Sequence, residues 1–237
     1  MRKKQRHIGF SLIEILLAVG TLSIGLLFIA GTFMTGIYFS TIATERTTAA
    51  VAADEAFAKI MLYNVNPADL AADELKSFEE LSTIDPNEFA YPSTDIDATQ
   101  KQYFWSALCR RTSSDPNSRL VQITVFVSRK VSAAASYQGE KGRPIPMKVG
   151  ISGIIGQSRL TITEADKITW INDGYTVVDD KTGQIYRVIE RDANQTNRFR
   201  LDRPWQGEQS GWVWVVPPPL TGGKNPNITI YQKIVRF

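Results

Sequence analysis

The chain has 237 residues, with 27 basic and 24 acidic side chains, one histidine (His7) and one cysteine (Cys109). Four basic residues, Arg2, Lys3, Lys4 and Arg6, crowd the start and leave 23 basic against 24 acidic beyond them, scattered among one another in the sequence, so nothing in this balance points to nucleic-acid binding. With no histidine after His7 and a single cysteine, the remaining chain excludes histidine-dependent nucleophile systems, zinc sites with histidine ligands, an internal disulfide and a thiolate cluster.

The predicted elements begin behind the basic cluster. From Phe10 to Phe39 the only formally charged residue is Glu14, and the next charge is Glu45. As a helix this run is long enough to cross a hydrocarbon core of about 30 Å. The basic residues before it orient it with the N-terminus in the cytoplasm. A carboxylate costs about 2.5 to 3.5 kcal/mol at the centre of such a helix and less near its end, so Glu14 calls for a partner. Cleavage after Gly9 would supply one. The new amine of Phe10 would stand four residues before Glu14 on the same helical face, where two opposite charges neutralise each other.

The succession Arg2, Lys3, Lys4 and Arg6, then Gly9, Phe10, Ser11, Leu12, Ile13 and Glu14, then the apolar run, resembles the signature of type IV prepilins and of type II secretion pseudopilins. The resemblance implies cleavage after Gly9 by a membrane prepilin peptidase and N-methylation of Phe10. It gives Glu14 a role in filament assembly, pairing with the N-terminal amine of a neighbouring subunit. The partners it implies are the peptidase, other pilins or pseudopilins met through the N-terminal helix, and an inner-membrane assembly platform. The implied location is the inner membrane, with the C-terminal region extracytoplasmic and in a pseudopilus or pilus after assembly. A conventional secretory signal fits poorly, because the apolar run is too long and carries Glu14 near its start. The alternative is a single-pass signal anchor that is never cut.

The helix is expected to run on past the membrane. Thr41 to Tyr63 has no proline or glycine, and Ile42, Arg46, Ala49, Ala53, Phe57 and Ile60 recur at helical spacing. Pro67 is read as its stop. Gly20, Gly25, Gly31 and Gly36 each weaken the apolar half by about 1 kcal/mol relative to alanine in water and allow neighbouring helices to approach closely. Pro67 to Thr99 reads as an acidic loop with one short helix around Asp73 to Leu81.

Strands are predicted at 102–110 and 120–131 around a turn at 112–118, with Val121, Ile123, Val125 and Val127 on one face. Cys109 is expected buried in the first of them. Beyond Ala133 further strands are predicted at 148–155, 159–163, 175–178, 185–190, 198–201, 212–216 and 228–235, separated by Gly, Pro, Asn and Asp turns. Asp179-Asp180-Lys181-Thr182-Gly183 reads as a hairpin turn, lacking the alternating oxygen ligands and closing glutamate of a calcium loop. Calcium stays open only because some pseudopilins bind it through short acidic loops. No other cofactor is expected. Trp205, Trp212 and Trp214 are read as core, with a partner or carbohydrate surface as the alternative.

The expected fold class is α+β: a long N-terminal α-helical spine packed on an antiparallel β-sheet head, with an additional all-β C-terminal elaboration. The divisions are 1–9, a basic leader that is cleaved; 10–64, the long helix, transmembrane over 10–39; 65–132, loop and β-hairpin of a pilin-like head; and 133–237, a β-rich region. The function expected is that of a non-enzymatic minor pilin or pseudopilin, supporting protein secretion or pilus biogenesis. The alternative is a signal-anchored binding module with a β-rich extracytoplasmic domain.

Overall fold

A computed structural model describes residues 11–93, 101–115, 117–132, 134–139 and 142–237. The chain divides into two compact units, Met1–Glu45 and Arg46–Phe237. Helix α1, Leu12–Tyr63, contributes to both. In the first unit its large apolar side chains lie bare, among them Leu12 at 79%, Phe28 at 75% and Met34 at 77% exposure. A helix apolar all round is the kind a bilayer or neighbouring helices cover, and α1 is long and apolar enough to cross a membrane by length and composition.

In the second unit α1 becomes one-sided. Ala49, Ala52, Ala53, Ala56, Phe57 and Ile60 are buried, the three-four spacing of a single helical face. Arg46, expected on that face, is exposed. The helix stops before Pro67 is reached, because Asn64 adopts a left-handed φ of 60°, a conformation asparagine tolerates just past a helix end. Pro67 instead opens a 3-10 turn, Pro67–Asp69, capped by the Asn66 side chain accepting from Ala68 N.

The second unit contains two antiparallel sheets. The first joins β1 (Lys76–Ser77), β2 (Ala90–Tyr91), β3 (Tyr103–Arg111), β4 (Leu120–Arg129) and β11 (Asn227–Arg236), with β3 and β4 central and β1 and β2 both on the free side of β3. Between β1 and β2 lies a single helical turn, α2, Phe78–Leu81. The second sheet closes into a barrel of β5 (Met147–Gly153), β6 (Arg159–Ile162), β9 (Arg198–Leu201), β8 (Ile185–Arg191), β7 (Thr176–Asp179) and β10 (Ser210–Val215). The chain is therefore α+β: one long N-terminal helix and antiparallel sheets, one of them closed.

Alternation along the strands sorts the cores. Trp105, Ala107 and Cys109 on β3 and Val121, Ile123, Val125 and Val127 on β4 share an apolar cluster with Ala49, Phe57 and Ile60 of α1. Inside the barrel, Leu160, Ile162, Tyr186, Val188, Phe199 and Leu201 alternate inward around Trp205. The Tyr186 and Trp205 rings lie 4.9 Å apart between centroids. A third cluster, with Leu75, Leu108, Phe126, Val178, Trp214 and Val216, joins the other face of the first sheet to the outside of the barrel.

The barrel is inserted between neighbouring strands. β11, the last element, pairs with β4 from Arg236↔Leu120 to Asn227↔Ser128. The chain departs and returns at one place, where Arg129 N donates to Pro226 O at 2.8 Å. The short helix expected around Asp73 to Leu81 shrinks to α2, since Leu75 N is taken by Asp180 O at 3.1 Å instead of a helical carbonyl.

Candidate functional site

Among the residues singled out by sequence, Arg2, Lys3, Lys4, Arg6, Gly9 and Phe10 lie outside the described residues. Glu14 stands in the first turn of α1, exposed. Ser11 begins the helix: Glu14 N donates to Ser11 O at 3.0 Å and Ile13 N to Ser11 Oγ at 3.3 Å. Ser11 is thus the residue whose oxygens meet the open N–H groups of the first turn. A carboxylate in that turn also meets the positive end of the helix dipole. Glu14 thus has a local stabilising interaction, and its side chain remains available to a partner.

The second site is the seam between sheet and barrel, which the sequence did not mark. The β7–β8 turn, residues 180–184, is the expected hairpin, yet it is no exposed loop: Asp179 and Asp180 are 2% and 8% exposed. Polar residues on the barrel-side face of the first sheet hold it. Gly183 O accepts from Gln122 Nε2 at 3.3 Å and Gln232 Nε2 at 2.8 Å, and Lys181 O accepts from Arg110 Nη1 at 2.6 Å. Asp179 accepts from the backbone and hydroxyl of Thr182.

Asp180 is the centre of the seam. Its Oδ1 accepts from Trp214 Nε1 at 2.6 Å and from Leu75 N at 3.3 Å, and its other oxygen lies 3.1 Å from Lys148 Nζ. Burial pushes its carboxyl above the usual range, outweighing Trp214 and Lys148. Burial pulls Lys148 down, but contacts with Glu74 and Asp180 outweigh it and hold the ammonium above its usual value. The same pair shifts both groups upward because Asp180 is the deeper, with side chains 11% and 30% exposed. A cleft of about 390 Å³ opens beside them, lined by Glu74, Lys76, Glu80, Lys148 and Trp214. Lys148 pairs there with both Glu74 and Asp180, which suits holding two layers together better than chemistry.

No three His, Cys, Asp or Glu side chains among the described residues are placed to hold a metal. Both aspartates of the β7–β8 turn are already used by internal hydrogen bonds. Cys109 is fully buried in β3, and burial pushes its thiol up to about 12. Trp205 lies inside the barrel and Trp214 in the seam, leaving Trp212 at 46% exposure, so the C-terminal tryptophans form no flat aromatic platform for a sugar. No family model, curated protein or solved structure matches the chain.

Proposed function

We propose that the chain is a structural, pilin-like subunit: cut after Gly9 by a prepilin peptidase, N-methylated at Phe10, and assembled through its N-terminal helix into a type II secretion pseudopilus or a type IV pilus. The observation that carries this reading is Glu14, the sole charge between Phe10 and Phe39, following a basic leader and Gly9-Phe10. An amine at Phe10 gives that carboxylate a partner, and pairing between subunits selects one axial offset as they stack. In this reading residues 10–39 hold the chain in the inner membrane, N-terminus in the cytoplasm, until an assembly platform extracts it. Supporting the spine-and-head arrangement, the last turns of α1 share an apolar cluster with β3 and β4. Lys233 on β11 also reaches Asp54 at 2.9 Å and lies over the Phe57 ring. The barrel enlarges the head, in keeping with a minor subunit.

The test is the intact mass and N-terminal sequence of the protein from its native membrane, with and without active prepilin peptidase. A chain beginning at methylated Phe10 only when the peptidase is active is the expected result. A chain still carrying Met1 or Arg2 in both cases would overturn the reading and leave a signal-anchored binding module.

A further inference from the structure

The outer face of the barrel around β6, β9 and β8 carries a charge arrangement that its own neighbours do not neutralise. Arg159 on β6 and Arg200 on β9 are direct cross-strand partners, a placement in which like charges destabilise a sheet. Arg198 lies two residues along β9, on the same face. Glu190 reaches Arg200 Nε at 3.1 Å, whereas no carboxylate lies within ion-pair distance of Arg159 or Arg198 among the described residues. Arg191 turns inward to the carbonyls of Ile168 and Ile171. The result is a cavity of about 350 Å³ walled by Arg159, Arg191, Arg198 and Arg200, against only Glu190 and Asp192.

Aliphatic side chains flank these cations. Ile154 and Ile155, at 55% and 65% exposure, form the tip of the β5–β6 hairpin, one step beyond the Gly153↔Leu160 pair and so beside Arg159. Ile189, 46% exposed, sits at the β8 irregularity next to Glu190. Neither isoleucine of the tip is needed by the barrel interior, which Leu160, Trp205 and their neighbours fill. We propose that this end of the barrel docks on an anionic phospholipid surface, with Arg159, Arg198 and Arg200 taking headgroup phosphates and Ile154 and Ile155 entering the interface. Cations beside exposed aliphatic groups match such a surface, since charge attraction and apolar burial both contribute there. The inference stands whether or not the chain is processed at Gly9.

The test uses the full chain, reconstituted through its apolar helix into phosphatidylcholine vesicles, and measures capture of separate fluorescent vesicles. Vesicles containing phosphatidylglycerol should be captured and pure phosphatidylcholine vesicles should not. Arg159→Gln with Arg200→Gln should weaken capture about 25-fold, at about fivefold for each arginine. Arg159→Lys with Arg200→Lys should retain it, and Ile154→Ser with Ile155→Ser should weaken it about tenfold or more. All four positions are exposed, and unchanged circular dichroism verifies that each variant is folded. Equal capture of both vesicle types, or undiminished capture by the glutamine pair, would overturn the proposal. So would full competition by soluble polyphosphate combined with no effect of the serine pair, which would make the patch a site for a soluble polyanion.

Discussion

Burial carries the Cys109 thiol to about 12, so at pH 8 almost none of it is thiolate, and the nucleophile is the thiolate. The folded protein should therefore leave Cys109 unmodified by Ellman's reagent at pH 8, and denaturant should release one reactive thiol per chain; rapid labelling without denaturant would contradict the burial. The position of this cysteine was legible because it ends an apolar strand segment, Tyr103 to Cys109. Glu14 stands out in the sequence for the opposite reason, as a charge where none is expected. Under the proposed pilin-like function, Glu14→Ala should still insert and be cut after Gly9, yet join filaments poorly when sheared fibres are compared with membranes by immunoblot. Normal incorporation would sink the pairing argument. Asp180, by contrast, looked like an ordinary turn residue. Its partners Leu75, Lys148 and Trp214 come from three distant segments, and local pattern carries no information about such a meeting.

Strands with alternating apolar residues between Gly, Pro and Asn turns were readable nearly end to end. The predicted 198–201 is β9 as observed, and 120–131 becomes Leu120–Arg129. β1 and β2, two residues each, are too short to show a period. Opposite Val121, Ile123, Val125 and Val127, β4 carries the polar residues Gln122, Thr124 and Ser128, which are buried, and Gln122 meets the barrel at Gly183 O. At this scale the β7–β8 turn is the sensitive element. Gly183 has φ +68°, and a Cβ there would lie 2.4 Å from Gln122 Nε2, so Gly183→Ala should cost about 1 to 3 kcal/mol, read as a lower urea midpoint. An unchanged midpoint would show that the turn is not clamped. For Asp180 the sign follows from its raised pKa. The folded state holds that proton more tightly than the unfolded chain, so the contribution is full below the ordinary aspartate value of about 3.9 and is lost as pH rises through the raised one. Asp180→Asn keeps an acceptor for Trp214 without titrating. Its melting temperature relative to the wild type should therefore climb as pH increases from about 4, whereas parallel curves would argue that Asp180 ionises without cost.

For the second unit as a whole, the barrel is built into the first sheet instead of hanging from it. It enters after β4 and leaves before β11, two strands paired along their length, and the connecting legs bond to each other through Leu220 N and Ser136 O at 2.8 Å. Phe126 and Leu108 from the sheet meet Val178, Trp214 and Val216 from the barrel side in one apolar cluster, and Gln122 and Gln232, which also bond Arg110 and Thr124 within the sheet, both donate to the barrel's Gly183 O. Opening the barrel alone would expose that cluster and take the Gly183 acceptor from the Gln122 amide nitrogen, each loss costing on the order of 1 to 3 kcal/mol. Sheet and barrel should therefore unfold as one cooperative unit. Hydrogen exchange on the detergent-solubilised full chain reads this directly: amides of Ile123 and Val125 on β4 and of Val188 on β8 should share one opening free energy, and Trp214→Ala should lower all of them together. If β8 opened first while β4 stayed protected, the barrel would be an independent folding unit and the seam only a contact between two finished parts.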